Sequence, residues 1–263
     1  MKQAMIFAAG LGTRLKPLTD TMPKALVKVG EQPLLWHVVM KLKAAGFERI
    51  VVNVHHFAQQ IIDYLEANGR FGLDIRLSDE SDGLLETGGG IKKARPLFDS
   101  NAPVLIHNVD ILSNADLTAF YDSALTQQAD ALLMVSERTT KRYLLFDDDN
   151  LLRGWTNIET GELRPATLRQ EQISIHPSCD PSVASDQRSS APFTLHQRAF
   201  SGIHVLSPRL FPLMDDMPER FGIIDFYLKH CTDRRLMGHE QPGLQLLDVG
   251  KLDTLDAAER FLL

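Results

Sequence analysis

An apolar run that ends in a glycine pair limits the folds open to this chain more than any other feature. Residues 4–9 are all apolar, and Gly10-Leu11-Gly12 follows them directly. Such a run suits a buried parallel strand, and glycines let backbone N–H groups turn toward an anion. Thr13, Arg14 and Lys24 add a hydroxyl, a guanidinium and an ammonium. The segment therefore predicts a strand that leads into a polyphosphate-binding loop, and favours this over a plain glycine turn beside surface cations.

Two common phosphate-binding fingerprints do not fit these residues. A Walker loop ends in Gly-Lys-Ser or Gly-Lys-Thr, and this loop has no such ending. The dinucleotide fingerprint requires a third glycine, at the position that Leu15 holds, and an acidic residue at the end of the second strand, where Asn53 stands. The sequence thus disfavours a P-loop NTPase and an NAD-dependent dehydrogenase.

The periodicity beyond the loop predicts an α/β fold with a Rossmann-like, doubly wound and mostly parallel sheet. Strands and helices alternate as far as residue 136, and Gly46 and Gly69 mark two helix ends. Ligands bind such sheets at the carboxyl ends of the strands, so we expect a site made of loop residues. Helices are predicted at about 34–45, 57–68, 90–98 and 115–127, and strands at 4–9, 50–54, 73–77, 103–109 and 129–136.

After residue 136 the pattern changes, and a small antiparallel subregion is predicted. Residues 143–146 and 151–155 indicate a hairpin around the acidic stretch 147–150, which is typical of a solvated turn rather than a metal site. Segment 160–197 lacks clear periodicity and is predicted to be a long loop or lid. The remaining predicted elements are strands at 200–206 and 244–249 and helices at 208–214, 223–231 and 253–262.

Composition and charge argue against several classes of partner. The 263 residues carry a net charge of −6 and no basic run of five or more, so we do not expect a nucleic-acid surface. No apolar stretch has the length needed to span a bilayer, and no signal-peptide pattern precedes the first strand, so we expect a cytoplasmic protein without membrane association. Cys179 and Cys231 lie far apart, which favours neither structural zinc nor a disulfide.

Two aspartates at the ends of apolar strands are candidate metal ligands. Asp110 follows the run 104–109, and Asp248 precedes the small turn Val249-Gly250. Because Mg²⁺ takes one or two protein carboxylates together with phosphate oxygens and water, such a pair beside a phosphate loop is chemically sufficient for it. From the residues alone, each aspartate could equally be a helix N-cap or a turn residue.

Three consecutive motifs resemble the signature of a known family, the sugar-1-phosphate nucleotidyltransferases. They are residues 9–14, Pro17-Leu18-Thr19 and residues 23–27. In that family the matching loop binds an incoming nucleoside triphosphate. The resemblance implies a nucleotide-diphospho-sugar transferase fold, which is GT-A-like, in a single domain. Its nucleotide-binding half would span about 1–136, and its sugar-side half, with the lid, about 137–263.

The same resemblance implies roles for the matching residues. Arg14 and Lys24 would be catalytic, Arg14 by stabilising charge on the phosphates and Lys24 by bridging the α-phosphate and the attacking group. Asp110 and Asp248 match the metal pair of the family, which implies Mg²⁺ as the cofactor. The loop residues that would bind the nucleotide are Ala9, Gly10, Leu11, Gly12 and Thr13.

Two positions beside the metal pair depart from the family pattern. Before the first aspartate the family usually has glycine, where this chain has Val109. After the Asp-Val-Gly turn of the second aspartate the family often has threonine, where this chain has Lys251. The bulk of Val109 either repositions the sugar or the metal, or packs inward, since neighbouring strand residues point to opposite faces. The sequence leaves this choice open.

A second glycine-rich stretch, Glu86-Thr87-Gly88-Gly89-Gly90, is predicted to form a loop that opens a helix. In the family the matching loop contacts the nucleobase. The form found here resembles the N-acetylmuramate-1-phosphate uridylyltransferases more than the thymidylyl- or adenylyltransferases. The resemblance therefore implies nucleotide contacts from Glu86, Thr87, Gly88 and Gly89, and favours UTP.

The sugar side is matched at fewer positions. Gly202, in the segment 200–204, and Asp225 fall where family members contact the sugar, and Asn108 at the end of its strand is also expected to bind substrate. The Glu-Lys-Pro motif, whose lysine holds the sugar phosphate in many relatives, is absent. The cation that binds this phosphate is therefore left open.

Taken together, the sequence predicts Mg²⁺-dependent transfer of a nucleotidyl group from a nucleoside triphosphate to a sugar 1-phosphate, in nucleotide sugar biosynthesis for the cell wall. The alternatives are a mannose-1-phosphate guanylyltransferase, a cytidylyltransferase acting on choline phosphate or a sugar phosphate, and a nucleotide-sugar-sensing module without catalysis. A homo-oligomer is possible on this sequence.

Overall fold

The N-terminal apolar run forms an internal strand of the main sheet in the computed structural model, which describes residues 1–168, 173–174 and 194–262. The described strands are β1 (Lys2–Phe7), β2 (Lys28–Val29), β3 (Gln32–Pro33), β4 (Phe47–Val54), β5 (Asp74–Asp79), β6 (Val104–Asn108), β7 (Ile111–Ser113), β8 (Ala131–Ser136), β9 (Arg142–Phe146), β10 (Leu152–Asn157), β11 (Glu162–Arg164), β12 (Ile173–Ser174), β13 (Leu195–Leu206), β14 (Leu236–Glu240) and β15 (Leu246–Asp248).

Helices connect the parallel strands, as the alternation of the sequence predicts. The described α-helices are α1 (Leu34–Ala44), α2 (Ala58–Ala67), α3 (Glu86–Ala94), α4 (Leu117–Thr126), α5 (Ile223–His230) and α6 (Leu255–Leu262). Among the described residues, no helix combines the length and the apolar character needed to cross a membrane.

The main sheet is mixed, with a parallel half that carries the N-terminal loop. Strands β6, β1, β4 and β5 lie side by side and are parallel, so their carboxyl ends meet at one edge. Strand β13 pairs antiparallel with β6 and β8, and its first residues pair antiparallel with β9. The predicted mostly parallel sheet with a small antiparallel subregion is confirmed.

Side chains alternate between two cores on opposite faces of the sheet. Ala4 and Ile6 of β1 pack into the core that contains α1, α2 and α4, while Met5 packs into the core that contains α3 and α5. Helices therefore cover both faces, which is why β1, β4 and β6 each contain a run of consecutive apolar residues.

The predicted hairpin is confirmed, with β9 and β10 antiparallel. Several other predictions for the second half of the chain are wrong. The stretch 208–214 is not an α-helix but two 3₁₀ helices, Pro208–Leu210 and Pro212–Asp216, because the second proline has no N–H to continue the first turn. Strand β14 was not predicted, and β15 pairs with β7 outside the main sheet.

Segment 160–197 contains a strand near its start and another at its end. Strand β11 forms its start, and β13 begins at Leu195, five residues earlier than predicted. Residues 169–172 and 175–193, on which most of the lid prediction falls, lie outside the described residues, as does Cys179. Cys231 is buried and free.

Helix α3 begins four residues earlier than predicted, so the prediction of a glycine loop before it is wrong. A Cβ at Gly88 would lie 2.2 Å from the Phe221 ring, and one at Gly89 would lie 2.3 Å from the Glu219 carbonyl oxygen. The N–H groups of Gly88 and Gly89 donate to the Phe221 carbonyl at 2.9 and 3.2 Å. The glycines are needed here because segment 219–221 packs directly against the helix backbone.

We predict that Gly88→Ala lowers the free energy of unfolding by about 1–3 kcal/mol, because the new methyl group overlaps the Phe221 ring in a packed core. Alanine otherwise favours a helix over glycine, so this loss opposes the helix propensity. Urea denaturation measures it, with Gly83→Ala as the matched control, since no atom lies within 4 Å of a Cβ there. A Gly88→Ala protein as stable as the control would contradict the packing assignment.

Candidate active site

The N-terminal loop, residues 8–24, leaves β1 at the carboxyl edge of the parallel strands with free backbone donors. The N–H groups of Gly10, Leu11, Gly12 and Thr13 donate no hydrogen bond to any described residue. Gly12 has a φ of 63°, and its carbonyl accepts the Thr19 hydroxyl at 2.9 Å. Successive unpaired N–H groups at a left-handed turn form a concavity that binds anions. These N–H groups are therefore available to an anion, and phosphate binding by the loop stays a prediction.

Asn53, at the end of β4, fixes the start of this loop. Its Oδ1 accepts the N–H groups of Ala8 at 2.7 Å and Ala9 at 3.2 Å. Its amide nitrogen donates to Glu80 at 2.7 Å, and Glu80 in turn accepts the Leu85 N–H at 3.3 Å. Asn53 and Glu80 are both buried. This chain of hydrogen bonds joins the N-terminal loop to the start of α3.

The sequence analysis did not identify Asn53 and Glu80 as site residues. A signal was present for Asn53, because it follows the apolar run 50–52, as Asp110 follows 104–106, whereas Glu80 follows a stretch that alternates between apolar and polar residues. Their pairing depends on β1, β4 and β5 being neighbours in the sheet, which one-dimensional patterns do not show.

Lys24 reaches from the N-terminal loop to the end of β6, where its ammonium group forms an ion pair with Asp110. The two side chains are 10% and 19% exposed, so the pair is largely withdrawn from water. A charge in that setting is costly without a partner. Each residue therefore compensates the charge of the other.

Asp110 and Asp248 are brought together by a short pairing outside the main sheet. Asp248 ends β15, where it lies opposite Ile111 of β7, and the Val249 N–H donates to the Asp110 carbonyl at 2.8 Å. Both predicted metal ligands therefore lie at the same edge, beside the N-terminal loop.

Gly250 brings Arg14 close to the same edge. A Cβ at Gly250 would lie 2.6 Å from Oδ1 of Asp248 and 2.7 Å from a guanidinium nitrogen of Arg14. Arg14 has no ion-pair partner or hydrogen bond from its side chain among the described residues. Its charge is therefore free to contact an anion in the loop.

The donor set suits Mg²⁺ only together with a ligand that brings more oxygens. The described residues contain no cluster of three or more His, Cys, Asp or Glu side chains that could hold a metal. Two carboxylates at one edge, next to unpaired N–H donors for phosphates, match the preference of Mg²⁺ for few protein ligands and phosphate oxygens. Asp110 and Asp248 thus fit this ion.

A cavity of about 230 Å³ connects the start of the N-terminal loop, Lys24 and Asp110 with the start of α3. Glu86 and Thr87, at the start of α3, form one of its sides; the Thr87 hydroxyl accepts the Ile223 N–H at 2.9 Å, and Glu86 pairs with Arg220 at 3.0 Å. The lining residues are Phe7, Ala8, Ala9, Gly10, Lys24, Asn53, Glu80, Leu84, Glu86, Thr87, Asn108, Val109 and Asp110.

Seven of the sixteen predicted site residues line this cavity, namely Ala9, Gly10, Lys24, Glu86, Thr87, Asn108 and Asp110, and the other nine do not. Leu11, Gly12, Thr13 and Arg14 continue the N-terminal loop, and Asp248 lies beside Asp110. Gly88 and Gly89 are buried inside α3 with their N–H groups already donated to the Phe221 carbonyl. Val109 is buried in the core beside α1 and α4, so its side chain packs inward.

Neither of the two predicted sugar-side residues, Gly202 and Asp225, lines this cavity. A Cβ at Gly202 would lie 2.5 Å from the amide nitrogen of Asn108, whose side chain therefore fills the space beside Gly202. Asp225, in the first turn of α5, accepts a hydrogen bond from the Arg164 guanidinium at 2.8 Å and lines a second cavity.

The buried histidines near the site are neutral at physiological pH. Burial lowers the pKa of His107 to about 4 and that of His204 to about 3. His107 lies on β6, directly before Asn108. His204 lies on β13, and its Nδ1 is 2.6 Å from the hydroxyl of Tyr227 on α5. Neither has a pKa near 7, which a general base at neutral pH would need.

Known proteins resemble this chain in sequence. Residues 3–143 match a family model described as nucleotidyl transferase. An N-acetylmuramate alpha-1-phosphate uridylyltransferase of Neisseria meningitidis is 46% identical over 123 residues, which are 46% of this chain and 52% of that protein. One of the same description from Caulobacter vibrioides is 35% identical over 204 residues, 74% of this chain and 81% of that protein.

A solved structure confirms the fold. A putative glucose-1-phosphate thymidylyltransferase from Bacillus anthracis superposes with a TM-score of 0.76 at 16% identity, covering 99% of this chain and 95% of that one. At this level of identity the likeness concerns the fold alone, and it confirms the nucleotide-diphospho-sugar transferase architecture.

We predict that Asn53→Ala lowers the free energy of unfolding by about 2–4 kcal/mol, because it leaves the Ala8 and Ala9 N–H groups and Oε1 of the buried Glu80 without a partner. Urea denaturation measures the loss. Asn68→Ala is the matched control, since its exposed amide bonds only the neighbouring Tyr64 carbonyl. Equal stability of the two variants would contradict a structural role for Asn53 in the site.

Proposed function

The chain belongs to the nucleotidyl transferase family, and within it we propose that this protein transfers the uridylyl group of UTP to N-acetylmuramate 1-phosphate and releases pyrophosphate. The observation that carries the proposal is the cavity that joins the N-terminal loop, Lys24 and Asp110 to the start of α3. The names of the two uridylyltransferase relatives support the choice of UTP and of the sugar.

The chemistry requires alignment and charge compensation more than a base. A phosphate monoester has a second pKa of about 6, so the sugar 1-phosphate is mostly a dianion at neutral pH and attacks the α-phosphorus without losing a proton to the protein. The arrangement is consistent with this, because it places cations and N–H donors at the cavity and keeps the nearby histidines neutral.

Lys24 is proposed to act by exchanging partners. In the protein without nucleotide its ammonium pairs with Asp110. When phosphates enter the cavity, the ammonium moves to an oxygen of the α-phosphate and of the attacking group, where it stabilises the charge that develops in the transition state. Arg14, without a partner among the described residues, takes phosphate oxygens farther along the loop.

Asp110 and Asp248 are the residues that would hold Mg²⁺. When bound, this ion neutralises charge on the phosphate oxygens and helps to orient them. The carboxylates are held ready by the β7–β15 pairing and by the hydrogen bond from Val249 to the Asp110 carbonyl.

A pyrophosphate-release screen tests the proposal. We predict the highest rate for UTP with N-acetylmuramate 1-phosphate, among five nucleoside triphosphates and a panel of sugar 1-phosphates that includes mannose 1-phosphate, and loss of this rate when a chelator removes Mg²⁺. Product mass distinguishes transfer from simple hydrolysis. Release with GTP and mannose 1-phosphate alone would replace the substrate assignment, and triphosphate binding without release from any pair would contradict catalysis.

We predict that Lys24→Met lowers kcat by about 10²–10⁴-fold, because a cation at the reacting phosphates is lost. Thermal denaturation checks that the variant is folded. Lys16→Met is the matched control, because Lys16 lies in the same loop but its exposed ammonium pairs with Asp20 at 3.0 Å. A Lys24→Met rate within threefold of the control rate would rule out the assigned role.

A further inference from the structure

A second cavity, of about 370 Å³, lies next to the first on the sugar side. We call it the arginine pocket; its lining includes Arg138, Arg142, Arg164, Tyr143, Trp155 and Phe200, with Asp225 as its acidic member. Gly222 lies between lining residues of the two cavities, since a Cβ there would lie 3.1 Å from Oδ2 of Asp225 and 3.8 Å from Oε2 of Glu86. The arginine pocket is therefore close to the Glu86 side of the first cavity.

The arginine pocket is positively charged, whereas the whole protein is negatively charged. Three arginines and a single aspartate line it, in a chain with a net charge of −6. Like charges at close range repel, so a cluster of guanidinium groups around a cavity favours an anionic occupant.

The three guanidinium groups differ in the hydrogen bonds and ion pairs that they already form. Arg164 donates to Asp225 and to Glu162, each at 2.8 Å, and lies over the Trp155 ring at 4.4 Å. Arg138 donates to the Phe200 carbonyl at 3.0 Å.

Arg142, at the start of β9, is exposed, and its side chain has no hydrogen bond or ion pair with any described residue. Arg142 is therefore the arginine whose full donor set is available to a ligand.

The 1-phosphate of the sugar does not account for this positive charge. For the proposed reaction that phosphate must lie beside Lys24 and Asp110, which line the first cavity and not the second. The arginine pocket would then hold the other end of the sugar. Tyr143, Trp155 and Phe200 offer aromatic surface there for the apolar face of a ring.

We propose that the arginine pocket selects a sugar 1-phosphate that carries a second anionic group, a carboxylate, and that Arg142 is the residue that binds this carboxylate. The inference rests on the proposed function and names the feature of the substrate that the sugar side recognises. A guanidinium matches a carboxylate with two parallel hydrogen bonds, which a lysine ammonium does not reproduce. N-acetylmuramate has such a group in its lactyl ether, and N-acetylglucosamine differs from it by lacking that ether.

The test compares these two sugar 1-phosphates with UTP on the wild-type protein, Arg142→Gln and Lys141→Gln. We predict that Arg142→Gln lowers kcat/KM for N-acetylmuramate 1-phosphate by about 10–100-fold, mainly through KM, as expected for a lost hydrogen bond to a charged group. The rate with N-acetylglucosamine 1-phosphate should change by less than about threefold. Lys141→Gln removes a neighbouring charge whose ammonium pairs with Glu159 at 2.5 Å outside the pocket, and should preserve the preference.

The possible outcomes separate the inference from the proposed function. Equal losses for both sugars in Arg142→Gln would mean that Arg142 binds the shared phosphate or supports the fold, and unchanged rates would mean that it binds neither; each result overturns the inference while the transferase activity stands. An inactive wild-type protein with every substrate pair would instead overturn the proposed function and, with it, the inference. Thermal denaturation of each variant excludes a folding defect as the cause of a loss.

Discussion

The ion pair between Lys24 and Asp110 is the contact on which the arrangement of the site depends. It joins the N-terminal loop to the end of β6 across 86 positions of sequence, in a setting largely withdrawn from water. Because a charge is costly there without a partner, the pair holds both segments beside the cavity. In the proposed mechanism a phosphate and a metal ion each engage one of these two groups, so this contact would be the one that a substrate replaces.

Around this pair, backbone interactions place the other charged groups. The hydrogen bond from Val249 to the Asp110 carbonyl brings Asp248 to the same edge, and Gly250 leaves space for Arg14. Opposite them, Asn53 and Glu80 tie the N-terminal loop to α3. The cavity thus has one charged side and one side formed by the start of a helix, and residues that lie far apart in the chain line it together.

Sequence patterns predicted the features that depend on local chemistry. The apolar runs predicted the parallel strands, the glycine pair predicted the turn at Gly12, and the family resemblance is confirmed by the relatives. The ends of apolar strands also indicated Asp110 and Asp248, which lie at one edge, while their role as metal ligands stays a prediction. Features that depend on distant packing were missed. Gly88 and Gly89 were predicted to lie in a loop because segment 219–221, which requires them to be small, comes about 130 residues later in the sequence. Asn53 was considered only as the position where a dinucleotide-binding protein would have an acidic residue, because its partner Glu80 follows the adjacent strand β5.

We propose that Lys24 leaves Asp110 to bind a phosphate of the nucleotide, and that Asp110 then binds the metal ion. A crystal structure with Mg²⁺ and a non-hydrolysable UTP analogue would test this claim most directly. The predicted result has the phosphates against the N–H groups of Gly10 to Thr13, the Lys24 ammonium within hydrogen-bond distance of the α-phosphate, and the ion bound to Asp110 and Asp248. A complex in which Lys24 still pairs with Asp110, with the phosphates bound elsewhere, would contradict it.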